Sequence, residues 1–408
     1  MILGNIFEHY DVALYSLLSP FFAPIFFPTN HPVTALILTY AIIPLGMLAR
    51  PIGSLLFGYI GDQYGRVSAL YWSLMGLAVS TAAIGFTPTY EQAGFFAPLL
   101  LLFGRILQNF FAAGEVSGGA IYLLEANEKP QRDDLLSALF SASTVLGILL
   151  ASFAVSLLSY FHAVESSWRY LYFAGSVTAL LGTLMRRLAC SDNEPLVPEK
   201  AFSIREYING FFENSHLLFP LIVASGFSYA CYSVAFTLMN GFIPLISDLD
   251  VSDVMAMNTG LLFLDLLLLP VFGFLAMRFS RKTIMGAAAG GSVLLGLPIF
   301  MLLQSSYYVY ILFARLILIF IGVSFSATLY SWAQEMVPKS YRYSLISFSY
   351  SIGTQLLGGP TAAISIWLYK ETGMVSSASW YWMALGALTC YLLFAKQSHT
   401  FKETQSVN

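Results

Sequence analysis

Seven charged side chains stand inside long apolar runs of this sequence: Glu8, Asp11, Arg50, Arg105, Glu115, Asp265 and Arg315. An ionised group at the centre of a bilayer costs ~2.5–3.5 kcal/mol on insertion scales, so such a residue carries a partner or a task. A carboxylate there has its proton affinity set by burial and by neighbouring charge, and one poised near neutrality takes up and releases a proton. A guanidinium is a planar fork that fits a carboxylate. Proton exchange and carboxylate recognition are therefore the chemistry these residue types offer. Four acids against three bases point to pairing inside the protein rather than exposure to hydrocarbon.

Spacing sharpens the reading. Glu8 and Asp11 lie three residues apart and share one helical face. Arg50 falls at a depth those acids reach, so the expectation is a Glu8–Asp11–Arg50 cluster near a translocation path, or else a static ion-pair cluster that packs the helices. On the run that holds Arg105, Gln108 lies about 60° around the helix, and Glu115 about 80° around and about 15 Å further along. Asp265 has no basic neighbour on its own run, which makes it a second proton-site candidate or a neutral packing acid. Proton coupling is thus assigned to Asp11, Glu8, Glu115 and Asp265. Substrate contact is assigned to Arg105, Gln108, Arg315, Arg50, Tyr15 and Asn240. For any single tyrosine, packing is the simpler role.

The elements that must hold these residues follow from composition. Hydrophobic residues make up 57% of the 408, charged residues 10%, and mean hydropathy is +0.72. Soluble chains carry about 25% charged residues, so this surface meets lipid. The net charge of -3 does not suggest nucleic acid, and three dispersed cysteines give neither a metal pattern nor a disulfide framework. No metal, cofactor or catalytic triad is expected. No cleavable signal peptide is visible, and the start of the chain reads as trimmed. Runs of about 20 apolar residues read as membrane helices. They fall near 2–27, 33–60, 67–87, 95–124, 135–160, 167–188, 215–245, 252–277, 283–304, 306–336, 343–369 and 376–396. The fold expected is therefore an all-α membrane protein of 12 spans: a six-helix bundle over 1–188, a linker over 189–214, a second bundle over 215–396 and a short tail over 397–408. With both termini cytoplasmic, 14 of the 19 Lys and Arg residues fall on the inner side, as the positive-inside rule requires.

The halves echo each other. Leu102-Phe-Gly-Arg105 is matched by Leu312-Phe-Ala-Arg315, and Glu125 and Glu335 each follow 20 residues after their arginine. The corner Gly58-Tyr-Ile-Gly-Asp-Gln-Tyr-Gly-Arg66 has a degraded copy in Gly273-Phe-Leu-Ala-Met-Arg-Phe-Ser-Arg-Lys282, where Met277 stands in place of the aspartate. Parallel repeats of this kind are a transporter plan, with the substrate site between halves near the midplane.

These stretches, with Gly4-Asn-Ile-Phe-Glu-His-Tyr-Asp-Val-Ala-Leu-Tyr15, Ala49-Arg-Pro-Ile-Gly53, Gly104-Arg-Ile-Leu-Gln108, Gly114-Glu115, Ser167-Trp-Arg169, Glu335-Met-Val-Pro338, Arg342-Tyr343 and Leu357-Gly-Gly-Pro360, run through nearly the whole chain. Together and in order they resemble the metabolite:proton symporter family of the major facilitator superfamily. That family includes proline/betaine, α-ketoglutarate, citrate and shikimate carriers. The resemblance implies alternating-access symport of a small metabolite with a proton, by a monomer in the bacterial inner membrane. A proton-antiport exporter is the alternative. It also implies a role for the Arg105 position in coupling, and an inner latch of Asp62, Gly65, Arg66 and Glu125. There Arg66 pairs with Glu125, and Asp62 faces the start of the eleventh span near Tyr343. A solvated turn is the simpler alternative for that corner. Asn109 and Ala113 depart from the family's glycines, and the loss of the acid at Met277 suggests a one-sided latch.

Overall fold

The computed structural model describes residues 2–28, 38–39, 42–43, 45–127, 129–161, 163–189, 204–249, 251–305 and 307–395. Among these, every regular element is helical. Lipid offers no partner to a peptide group, and a helix satisfies its own backbone within one segment. In chain order the long elements begin with α1 (Ile2–Phe26), α2 (Arg50–Gln63), α3 (Arg66–Gly85), α4 (Phe96–Glu125), α5 (Asp133–Tyr160) and α6 (Val164–Ala189). A further helix spans Ile204–Glu213. Then α7 runs through Leu218–Tyr232, a π-helical stretch Ser233–Leu238, and Met239–Ile246. Next come α8 (Val251–Ala276), α9 (Arg281–Leu302) and α10, whose parts Tyr308–Ser326 and Leu329–Met336 flank a break. Last are α11, composed of Arg342–Ile352, a π stretch Gly353–Gly358 and Thr361–Thr372, and α12 (Trp380–Phe394).

Seven helices among the described residues are long and apolar enough to cross a membrane: Arg66–Gly85, Phe96–Glu125, Asp133–Val155, Ser215–Leu238, Met257–Ala276, Arg281–Leu302 and Tyr308–Met336. The others differ for visible reasons. Helix α1 carries Glu8 and Asp11, and α12 is 15 residues long.

Packing sorts the helices. Helix α1 lies on α5 and α6, α3 lies on α4 and α6, and α2 lies on α4. In the second half α7 lies against α10, α11 and α12, and α9 against α10 and α12. The two sets meet where α5 runs along α8 and α2 along α11. Without water to drive association, membrane helices rely on close approach over small residues. Gly53 of α2 sits so close to α4 that a Cβ would lie 2.1 Å from the Phe110 carbonyl oxygen. Gly353 of α11 packs on α7, where a Cβ would lie 2.2 Å from the Ile222 carbonyl oxygen. An aromatic cluster of Phe22, Phe26, Trp168 and Tyr172 fills the space between α1 and α6, in edge and stacked contacts.

The two π stretches each redirect a polar group. The first presents the Ala235 carbonyl to Arg315 Nη2 at 2.9 Å. The second aims Gln355, whose Nε2 donates to the Met47 carbonyl at 2.8 Å across the two sets of helices. Such widened turns cluster at functional places in other helices.

Overpacking a close helix crossing costs about 1–3 kcal/mol. Gly353→Val is therefore expected to lower the unfolding midpoint in detergent. Gly290→Ala, at a helical glycine with nothing within 4 Å of its Cβ position, is expected to leave that midpoint unchanged or raise it slightly.

Candidate functional site

The first cluster is sealed between α1, α3, α4 and α6. Arg105, Gln108, Asp11 and Thr81 are all buried, at 0–1% exposure. Arg105 Nη1 donates to Gln108 Oε1. Gln108 Nε2 donates to Thr81 Oγ1 at 2.9 Å, and Thr81 Oγ1 donates to Asp11 Oδ2 at 3.1 Å. Above this row the Arg105 guanidinium stacks on the Tyr15 ring at 4.6 Å, a favourable cation–π contact in a dry site. Tyr15 also donates its hydroxyl to the Thr39 carbonyl. Among the described residues, three polar atoms in the cluster have no hydrogen-bond partner: Arg105 Nε, Asp11 Oδ1 and the Tyr172 hydroxyl. Asp11 Oδ1 lies against Gly175 of α6, where a Cβ would come within 1.8 Å of it. The site thus joins a guanidinium to a carboxylate without a direct ion pair.

Arg50 is held by a residue outside the expected cluster. Its Nε donates to Asn109 Oδ1 at 2.9 Å, and Asn109 Nδ2 in turn donates to the Arg105 carbonyl. Asn109, which breaks the family's glycine pattern, is thus the acceptor that fixes Arg50. Asp11 answers to Thr81 rather than to Arg50. Glu8 is fully buried one helical turn away. Glu8 and Arg50 both act electrostatically on Tyr330 and Tyr350, which stack at 5.8 Å in the second half. In that half Arg315 is fully buried; its Nη2 donates to the Ala235 carbonyl and to Asn258 Oδ1, while Nε and Nη1 have no partner among the described residues. Asp265 is buried on α8 with Tyr232 as its electrostatic neighbour. The side chains of Glu115 and Asn240 lie outside the described residues.

At the α2–α3 corner, Gly65 has φ +96°, a backbone that favours glycine. The turn lets Arg66 donate to Asp62 Oδ1 and, through Nε and Nη2, to both Glu125 carboxylate oxygens at 3.0 and 3.3 Å. Arg66 Nη2 also donates to the Lys339 carbonyl. Arg342 Nη1 reaches Glu125 Oε1 at 3.2 Å. Asp62 accepts the backbone N–H groups of Tyr343 and Ser344 at 3.2 and 3.1 Å, and the Ser344 hydroxyl at 2.8 Å. These N–H groups lie in the first turn of α11, where the helix dipole also favours an anion. Tyr343 is buried over Gly61 and Gly118, and its hydroxyl donates to the Gly114 carbonyl.

The degraded copy at the α8–α9 corner is not empty, contrary to the one-sided expectation. Arg281, the counterpart of Arg66, donates through Nε to Asp134 Oδ1 at 2.7 Å and through Nη1 to Glu335 Oε2 at 3.1 Å. Ser331 Oγ also donates to Asp134 Oδ1, at 2.6 Å. Asp134 stands at the start of α5 and so belongs to the first half. The acid lost at Met277 is replaced by one on the opposite side of the interface. Gly273 completes the symmetry: it packs on Asp134 and Leu135 as Gly58 packs on Ser344. The acidic pair Asp133-Asp134 was the available signal in the sequence.

Buried charges on many apolar helices, together with the family and relatives that the chain matches, make this a multi-pass transporter of the bacterial cell membrane. A sequence profile of the Major Facilitator Superfamily matches residues 3–262, and the chain belongs to that superfamily. It is 28% identical to a "Putative proline/betaine transporter" of Staphylococcus aureus (strain COL), over 95% of this chain and 84% of the other. To the glycine betaine/proline/ectoine/pipecolic acid transporter OusA of Dickeya dadantii it is 26% identical, over 95% and 80%. To the citrate-proton symporter of Klebsiella pneumoniae it is 28% identical, over 95% and 89%. Its fold matches the proton:xylose symporter XylE bound to 6-bromo-6-deoxy-D-glucose with a TM-score of 0.71 at 14% identity, covering 96% of this chain and 93% of that one. It also matches FucP in the outward conformation with a TM-score of 0.70 at 13% identity, covering 96% and 97%.

Side chains in one ion-pair network couple by about 0.5–3 kcal/mol. A double-mutant cycle of Arg281→Gln and Asp134→Asn, read by denaturant unfolding in mixed micelles, is expected to give a stabilising coupling in that range. Strict additivity would show that the contact contributes nothing.

Proposed function

We propose that the chain takes up a small metabolite bearing a carboxylate, either a zwitterion of the proline/betaine kind or a di- or tricarboxylate, together with a proton. The observation that carries this reading is the buried row from Arg105 to Asp11, an anion-binding group and a proton-binding group in one dry site. Relatives named for proline, betaine and citrate–proton transport support it. In this reading the chain forms 12 spans in two six-helix bundles, both termini are cytoplasmic, and one chain is the working unit. Asp11 is the main proton carrier, with Glu8, Glu115 and Asp265 as further candidates. Arg105 with Gln108 meets the cargo carboxylate, and Arg50, Arg315, Tyr15 and Asn240 line the path.

Cargo and proton enter from outside, and the bundles rock about the site. Differential affinity for the loaded forms drives that shift, and the membrane potential adds ~2.3 kcal/mol per charge per 100 mV. Asp62, Gly65, Arg66 and Glu125 hold the inner side shut, because the Asp62 contact to the start of α11 exists when the two halves meet there. The α5–α8 contact through Asp134 and Arg281 acts in parallel.

The decisive measurement is uptake of L-proline, glycine betaine or citrate into proteoliposomes with an imposed pH gradient. Accumulation should follow an acidic exterior and collapse with a protonophore; accumulation driven by proton exit would instead mark an exporter. Asp11→Asn and Glu115→Gln should abolish gradient-driven accumulation while the protein still inserts. Asp62→Asn should raise the labelling of cysteines introduced on the cytoplasmic side, and unchanged labelling would return the corner to a plain turn.

A further inference from the structure

The row between Arg105 and Asp11 has a fixed direction. A guanidinium has donors and no acceptor, so Gln108 must turn its oxygen toward Arg105 and its amide nitrogen toward Thr81. Thr81 accepts there, and its own hydroxyl hydrogen is left for Asp11 Oδ2. The whole row therefore points its donors at an ionised Asp11. Reversing Gln108 reverses Thr81 and Asp11 with it, whereas Arg105, which has no acceptor, loses its bond to Gln108. If Gln108 turns its amide over, the Thr81 hydroxyl donates to Gln108 Oε1 and no longer to Asp11. Asp11 then regains a partner when it is protonated at Oδ2 and donates to Thr81 Oγ1. The two patterns differ by one proton and by the Arg105–Gln108 bond, which only the first contains.

We propose that Thr81, through Gln108, is the residue that couples cargo binding at Arg105 to proton binding at Asp11. This rests on the proton-symport reading above. A cargo carboxylate that takes Arg105, whose Nε has no partner among the described residues, competes with Gln108 Oε1 for the guanidinium. Gln108 is released and reverses, the Thr81 hydroxyl leaves Asp11, and a proton from the outer aqueous side binds Asp11 Oδ2. No other bond is made or broken. The loaded core is neutral at both ends of the row, since the carboxylate offsets Arg105 and the proton offsets Asp11. By linkage, the proton favours the cargo as much as the cargo favours the proton.

The surroundings of Asp11 permit this control. Arg105 from α4 and Tyr172 from α6 are the titratable groups that face it across the site, with Tyr10 and Tyr15 on α1 itself. From α3 the contact is Thr81, and from α6 the backbone of Gly175 closes the other carboxylate oxygen. Glu8 and Arg50 act instead on the Tyr330–Tyr350 pair, and His9 lies against Gly147 of α5. Thr81 is thus a positioning residue: it touches neither cargo nor bulk water, being fully buried.

The test is calorimetric binding to the purified full chain, in two buffers of different ionisation enthalpy. The probe is whichever of L-proline, glycine betaine and citrate the wild type accumulates. The pair of titrations gives protons taken up per molecule bound. Thr81→Val and Thr81→Ala, which remove the hydroxyl without and with a change in bulk, should bring that number close to zero, because without coupling cargo binding leaves the proton affinity unchanged. Thr81→Ser, which keeps the hydroxyl, should restore it. Wild-type proton uptake in Val or Ala, or loss in Ser as complete as in Val, would overturn the relay alone. Wild-type accumulation that ignores the pH gradient would bring down the symport reading and the relay with it.

Discussion

A bilayer supplies no counter-charge and no hydrogen bond, and that constraint decides how this chain is built. Every ionised group carried into the apolar runs must be answered by the protein, because its desolvation is not repaid by lipid. The answers are of three kinds. Arg105 is answered through a row of neutral polar groups and an aromatic face, Arg315 by a carbonyl exposed in a π turn and by Asn258, and Asp62 by the open backbone of a helix start. Asp62 also pairs with Arg66, but neither Arg105 nor Arg315 is held by a direct ion pair among the described residues. A direct pair would be self-sufficient, whereas Arg105 Nε and Arg315 Nε and Nη1 meet no acceptor among the described residues and can be used by a ligand or a second conformation.

Glycine does the complementary work. Where charges hold the helices at chosen points, close crossings at Gly53, Gly58, Gly273 and Gly353 bring the backbones near enough for those contacts to form. The two meeting places of the halves, α2 with α11 and α5 with α8, are built alike from a glycine and a helix start. The internal repeat of the sequence has thus become a repeat of contact geometry.

Much of this was legible before any coordinates. A charge within an apolar run is rare, so Asp11, Arg105, Gln108 and the Asp62–Arg66 corner stood out, and the structure brings Arg66, Asp62 and Glu125 together. Thr81 did not stand out, because a threonine in a membrane helix passes for packing and its importance lies in which neighbours it faces. Asn109 was visible as a departure, yet its use as the acceptor for Arg50 depends on the rotation of α2 against α4. The Arg281–Asp134 contact was hidden for a different reason. Comparing the two corners position by position finds Met277 and stops, whereas the interface needs an acid and is indifferent to which side provides it.

That exchange of sides has a consequence for how the two corner contacts meet dissolved ions. Asp62 is 2% exposed and bound by backbone donors, so mobile ions have little access to it. Arg281 and Glu335 are 22% and 63% exposed, in the range where counter-ions compete. Screening acts strongly on open pairs and weakly on buried ones, with a Debye length of about 8 Å at physiological ionic strength. A rise in electrolyte therefore weakens the Arg281–Glu335 pair and spares the Asp62 contact. Two corners that look like copies thus differ in their sensitivity to dissolved salt.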